Sequence, residues 1–104
     1  MENNDIPNSA ITASSTWGPA HEPWRARLNN VRTSHSTGSW SAASNIVGQW
    51  LQIDLGKETV VTKIATQGRP DVTQRVTSYK ILFSSNGTNV KEYKENGSVK
   101  VIMA

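Results

Sequence analysis

The chain has 104 residues, enough for one domain and no more, because single domains cluster near about 100–150 residues. Charged residues are only 18% and hydrophobic ones 36%, against a usual apolar share of ~45–50%; Ser, Thr, Asn and Gly fill the difference, which excludes a coiled coil. Four Trp, two Tyr and one Phe argue against a charge-driven disordered chain, and no apolar run approaches the ~18 residues of a membrane-spanning helix. With no cysteine there are no disulfides, thiolate nucleophiles or Cys-based zinc sites. The net charge of +3 is spread from Arg25 to Lys100 without Lys/Arg clusters, so nucleic acid is not an expected partner. Residues 1–10 hold no apolar signal-peptide core, so the chain reads as an intracellular protein or as a piece of something longer.

Residues 1–5 are polar and predict a disordered tail ahead of Ile6-Pro7. Ala10–Ser14 is a short strand candidate, and Ser15–Asn45 reads as loop, carrying Gly18, Pro19, Pro23 and Gly38 among many Ser, Thr and Asn. So long an irregular stretch is unusual in a compact domain unless its loops are functional. In Gln49–Gly56, Leu51, Ile53 and Leu55 share one face by alternation. Thr59–Thr66 is rich in β-branched residues and predicts a further strand. A loop from Gln67 to Arg75 precedes a strand over Val76–Ser84, with Thr77, Tyr79, Ile81 and Phe83 on one face. Asn86-Gly87 and Asn96-Gly97 are hairpin signals around Val90–Lys94 and Val99–Met103. No segment carries a helical stripe over three turns, so the expected class is all-β, an antiparallel sandwich or barrel. A hydrophobic strand with no successor at Val99–Ala104 predicts that the domain continues beyond residue 104.

Specific blocks then point further. Ile6–Ser15, Trp24–Asn29, Gly38-Ser39-Trp40, Gln49–Gly56, Ala65–Arg69, Val76–Lys80 and Ser84–Gly87 resemble, in order, the coagulation factor V/VIII type C family, also called discoidin domains. The resemblance spans residues 6–87 and is strongest at Gln49-Trp50-Leu51-Gln52-Ile53-Asp54-Leu55-Gly56. It implies a discoidin-like jelly roll, similar to galactose-binding domains, over residues 6–104. Three departures stand out: the family's two terminal cysteines are missing, Val90 stands where a tryptophan is common, and the closing strands do not follow.

The family binds through loops at one end of the sandwich, with anionic phospholipid, cell-surface glycans and partner proteins among its ligands. By position the first such loop is Thr16–Pro23. Trp17, beside Gly18 and Pro19, either projects as a tip that suits lipid headgroups or a sugar face, or folds back onto the core. His21, Arg32, His35, Arg69, Asp71 and Arg75 fall in loops where they are placed to meet ligand, each against the plainer reading of a solvated surface group. Trp24, Trp40 and Trp50 read as structural, as do Arg25 and Arg27, for which Asp54 is the expected carboxylate partner.

Two histidines fourteen residues apart make a poor metal site, and no nucleophile is flanked by a base, so catalysis and a resident cofactor are not expected. A calcium ion, as in some glycan-binding relatives, would have to draw on Asp5, Asp71 and backbone carbonyls, and no oxygen-rich loop is evident. Asn86-Gly87-Thr88 and Asn96-Gly97-Ser98 both fit the N-glycosylation pattern and both fit simple turns. The resulting expectation is a non-catalytic extracellular or cell-surface module for anionic lipid or glycan, supporting adhesion within a larger or multivalent protein. The competing readings are an accessory carbohydrate-binding module of a secreted enzyme and a non-binding structural fragment.

Overall fold

The computed structural model describes residues 5–70, 72–86, 90–95, 98–99 and 101–103. The predicted tail, Asp5 apart, and the Asn96-Gly97 turn lie outside them, as does Asp71. The chain divides into two compact units, Met1–Gln74 and Arg75–Ala104.

In the first unit, strand β1 (Ile11–Ala13) pairs antiparallel with β2 (Leu51–Ile53), in the register Ile11 to Ile53, Thr12 to Gln52 and Ala13 to Leu51. Backbone bonds carry the ladder one step past each end, from the Ser14 N–H to the Trp50 carbonyl at 3.0 Å and from the Asp54 N–H to the Ala10 carbonyl at 2.8 Å. β-Branched Ile11 sits where its side chain is 2% exposed, and removing that much apolar surface from water stabilises by about 2 kcal/mol. β2 stops at Ile53 for a local reason. The Asp54 carboxylate accepts the Gly56 N–H at 2.8 Å, an Asx turn, and Gly56 itself takes a φ of 82° that favours glycine.

Two short 3-10 turns that the periodicity did not predict flank β1's surroundings, Asn8–Ala10 and Pro23–Ala26. Proline at the first position of the second is pre-set for the turn and has no N–H to leave unpaired. The strand expected over Thr59–Thr66 does not form: Val60 is 86% exposed and Val61 57%, and no described strand lies alongside. β-Branched composition favours an extended backbone, but a strand needs a neighbour to take its N–H and C=O groups.

Among the described residues, the second unit holds three antiparallel pairs. β3 (Ser78–Lys80) pairs with β8 (Val101–Met103), β4 (Leu82–Phe83) with β5 (Lys91–Glu92), and β6 (Lys94–Glu95) with β7 (Ser98–Val99). The single strand expected over Val76–Ser84 is therefore two, divided at Ile81, whose carbonyl accepts the Tyr93 N–H at 2.8 Å. The β4–β5 and β6–β7 pairings are antiparallel, while Gly87, Asn96 and Gly97 of the two expected turns lie outside the described residues. Asn86, one of the two glycosylation candidates, is exposed, and its side-chain oxygen accepts the Ser84 hydroxyl.

One glycine fixes how the first unit's loops meet. Thr33 and Ser36 form an isolated antiparallel bridge, and the Ser36 hydroxyl, on a residue 8% exposed, accepts the Gly38 N–H at 3.0 Å. Gly38 has a φ of 76°, and a Cβ there would lie 2.7 Å from the Val31 carbonyl carbon, 2.9 Å from the Arg32 nitrogen and 2.9 Å from Pro70 Cγ. The Gly38→Ala substitution is expected to cost roughly 2–4 kcal/mol, from backbone strain plus overlap with backbone that cannot move away. Gly48→Ala, at a φ of 99° with open space around it, should cost only about 1 kcal/mol. Chemical denaturation followed by near-UV circular dichroism separates the two; equal costs would show that the close approach at Gly38 is not made.

Candidate functional site

The site is built from three consecutive segments of the first unit, residues 14–23, 30–41 and 41–50, stitched together at their bases. The hydroxyls of Ser14 and Ser15 both donate to Gln49 Oε1 at 2.7 Å. The same two oxygens accept backbone N–H groups, Ser14 from Trp50 at 2.9 Å and Ser15 from Ala43 at 3.0 Å. The Trp17 N–H donates to the Ser41 carbonyl at 2.8 Å, and the Ser41 N–H returns to the His21 carbonyl at 3.3 Å. The Thr37 N–H and hydroxyl both reach the Ala20 carbonyl, at 3.1 Å and 3.0 Å. This is one use of the stretch's small polar residues: the Ser14 and Ser15 hydroxyls each serve as donor and acceptor at once, satisfying loop backbone that has no ladder of its own.

From this base Trp17 projects with 67% of its surface exposed, which decides between the two readings of its side chain. Its neighbour Gly18 accepts the His21 N–H at 3.2 Å, closing the tip as a turn. His21 is half-buried and turns its Nδ1 towards the hydroxyls of Ser41 at 3.2 Å and Thr37 at 3.5 Å. Arg32 and His35 are both exposed, His35 at the tip of the Thr33–Ser36 bridge with its N–H on Thr33 Oγ1 at 3.2 Å. Arg69 lies in a loop joined to this region through Gly38 against Pro70 and through Gln67, whose amide exchanges two hydrogen bonds with Asn29. Its guanidinium donates to Gln74 Oε1 at 3.0 Å. Arg75 opens the second unit and is exposed.

Among the residues expected to be structural, Trp40 is half-buried and its indole N–H donates to the Ser15 carbonyl at 2.9 Å; Trp24 is half-buried within the second 3-10 turn. Trp50 departs from expectation, with 49% of its surface exposed, because only its backbone joins the β1–β2 ladder. The pairing expected of Arg25 and Arg27 with Asp54 is replaced. Arg25 pairs with Glu22, three residues earlier, at 2.5 Å, because the 3-10 turn brings those positions together. Arg27 reaches back to the Ile6 carbonyl at 2.7 Å and Asn8 Oδ1 at 2.8 Å, anchoring the start of the domain. Asp54 is occupied by its own Asx turn.

Two residues that the sequence did not single out are prominent here. Ile46 is 66% exposed and Val47 fully so, at the crest of the segment that ends in Gly48. The available signal was two adjacent aliphatic residues bracketed by Asn45 and Gly48 in an otherwise polar loop. No group of three or more His, Asp or Glu able to hold a metal occurs among the described residues.

Glu22 locks the first loop. Its carboxylate accepts the Ala20 N–H at 2.8 Å as well as the Arg25 guanidinium. Its pKa is lowered from 4.5 to about 2, chiefly by the Arg25 hydrogen bond, against an opposing push from burial and with the Ala20 N–H adding to it. A depressed carboxylate contributes stability that is fully present above its unfolded value and lost as pH falls through the folded one. The loop's stabilisation should hold above about pH 4.5 and disappear towards about pH 2. Because the pair is partly solvated, Glu22→Gln is expected to cost about 1 kcal/mol at neutral pH, with the difference from the parent vanishing at the acid end of that window. Denaturation midpoints at stepped pH check this; a gap that persists at the lowest pH would place the effect elsewhere.

Ala20, beside this lock, has a φ of 72°, a left-handed conformation that costs a residue with a Cβ roughly 1–2 kcal/mol. Ala20→Gly should therefore raise stability by about 0.5–1 kcal/mol, the rest being taken back by glycine's greater unfolded freedom. A lowered denaturation midpoint would contradict that.

The chain matches the F5/8 type C domain over residues 10–103. It is 41% identical to lactadherin of Rattus norvegicus over 106 residues, covering 97% of this chain and 25% of the relative. It is also 41% identical to lactadherin of Sus scrofa, covering 96% and 26%, and to coagulation factor V of Sus scrofa, covering 95% and 4%. The chain thus spans about a quarter of the length of the lactadherins and a small part of the coagulation factor. The matched domain is an antiparallel β-sandwich and a binding module, in keeping with the all-β class read from the strands and turns. The chain belongs to the F5/8 type C domain family.

Proposed function

We propose that the chain is a non-catalytic extracellular module that attaches its parent protein to anionic phospholipid at a cell surface, and thereby supports adhesion. One observation carries the reading: Trp17 stands 67% exposed on a loop whose backbone is pinned by Ser41. Leaving an indole in water costs free energy that an unliganded structural role would not justify, and a pinned loop loses little entropy on binding. Arg32 and Arg69, on abutting loops, supply the positive charge that anionic headgroups attract. Gly18, His21 and His35 remain in the first unit's proposed ligand set, while Arg75 belongs to the second unit and Asp71 lies outside the described residues.

Burying Trp17 is worth ~2–3 kcal/mol and each arginine ~1 kcal/mol, so Trp17, Arg32 and Arg69 together supply ~4–5 kcal/mol. That corresponds to a dissociation constant of roughly 0.2–1 mM. Such affinity suits a module used in several copies or beside other domains, where tethering raises the effective concentration.

Flotation of the purified chain with vesicles of mixed phosphatidylserine and phosphatidylcholine, against phosphatidylcholine alone, tests the proposal. Selective binding to the mixed vesicles is expected, with Trp17→Ala weakening it by about thirtyfold or more at an unchanged near-UV spectrum. Calcium-dependent retention on galactose resin with no vesicle binding would overturn it in favour of the accessory carbohydrate-binding reading.

A further inference from the structure

Resting on the extracellular placement in that reading, we propose that Asn86 is an N-glycan acceptor and that the recess beside it, with Phe83 as its aromatic wall, seats the first sugar. The sequence supplies the acceptor pattern Asn86-Gly87-Thr88. It falls in the connection between β4 and β5, residues 84–90, which is longer than the usual hairpin loop of about 2–5 residues. Asn86 is exposed, and Ser84 orients it: the Ser84 hydroxyl donates to Asn86 Oδ1 at 3.0 Å and accepts the Asn86 N–H at 3.2 Å. The amide is held by its oxygen, which also sets the direction of Nδ2.

Three residues before Asn86, Phe83 ends β4 with 55% of its surface exposed, opposite Lys91 on β5. Phe83, Ser84, Ser85, Asn86 and Lys91 line one open recess of about 280 Å³. Small-molecule sites begin near ~300 Å³, so the recess is on the scale of one sugar rather than an oligosaccharide. A pyranose ring presents C–H groups on its face, which the negative face of a phenyl ring attracts, and hydroxyls at its rim, which Lys91 and the two serines are equipped to bond. A turn alone gives no account of a phenyl ring left this exposed; a sugar tethered at Asn86 covers it. The other acceptor pattern, Asn96-Gly97-Ser98, is set differently. Ser98 lies in β7 opposite Glu95, so its hydroxyl residue is tied into a ladder.

The modification is a substitution at a sugar carbon. Asn86 Nδ2 attacks the anomeric carbon of a polyprenyl-diphosphate-linked oligosaccharide on the secretory route. The C1–Nδ2 bond forms as the bond from C1 to the diphosphate oxygen breaks. One amide proton is released, and the polyprenyl diphosphate leaves with the electron pair.

The test is to secrete the chain from cultured animal cells behind a cleavable signal sequence. Peptide-N-glycosidase F should lower its mass, and release in heavy-oxygen water should label Asn86 and not Asn96. Asn86→Gln and Thr88→Ala should each abolish the mass change in a chain that is still secreted. The glycosylated chain should melt about 3–6 °C above its Thr88→Ala variant, and in a Phe83→Leu background, apolar but without a ring, that gap should vanish. A secreted chain with no glycan on Asn86 overturns the acceptor, and a gap that survives Phe83→Leu overturns the seat. Flotation on phosphatidylserine vesicles is read on the same samples. Binding by a chain that carries no glycan refutes this site and leaves the lipid reading standing; a glycosylated chain that does not float refutes the lipid reading alone.

Discussion

Two serine hydroxyls and one glutamine carbonyl oxygen decide the arrangement of the first unit's loops. Ser14 and Ser15 follow directly on β1, Gln49 directly precedes Trp50 and β2, and the two hydroxyls meet on Gln49 Oε1. The β1–β2 pairing is only three residues long, too short to hold the chain on either side of it, and the hydroxyl bonds extend its grip into irregular backbone. Replacing either serine with alanine would strand a backbone N–H, of Trp50 or of Ala43, as well as a lone pair on Gln49.

Around that centre the same device recurs on a smaller scale. Thr37 and Ser41 hold the far side of the first loop, Glu22 holds its left-handed turn, and Ser36 holds Gly38. These fastenings are made by backbone groups and polar side chains; at Trp17 it is the backbone N–H, on the Ser41 carbonyl, that is held. Rigidity and exposure are thus separated along the chain: polar residues order the backbone at the base, and the apolar side chains of Trp17, Ile46 and Val47 stand exposed.

The sequence made some of this plain and hid the rest for identifiable reasons. β1, β2 and the two hairpins were legible because alternation and Asn-Gly turns are local signals, and the ordered blocks from Ile6 to Gly87 carried the family. The Gly-Pro neighbours of Trp17, which are also local, raise a projecting tip as one of two readings, and its exposure selects that one. Partner choice was not legible. Arg25 found Glu22 instead of Asp54 because a four-residue 3-10 turn with no helical stripe brought them together, and Asp54 was diverted by its own turn. Thr59–Thr66 looked like a strand because composition reports an extended preference, not the presence of a neighbour to pair with. Ile46 and Val47 went unmarked because two aliphatic residues in a loop have no periodicity to register.

The placement of the fastenings has an engineering consequence. Among the described residues, the ties that order the base are made by Ser41 and Ala43 on one side of positions 44–48 and by Gln49 and Trp50 on the other. That stretch is therefore a cassette: foreign pentapeptides can be spliced into it, or the five codons randomised as a display library, with the surrounding geometry supplied by residues that never change. The absence of cysteine adds that such grafts would be presented without any oxidative folding step, in a reducing compartment as readily as outside the cell.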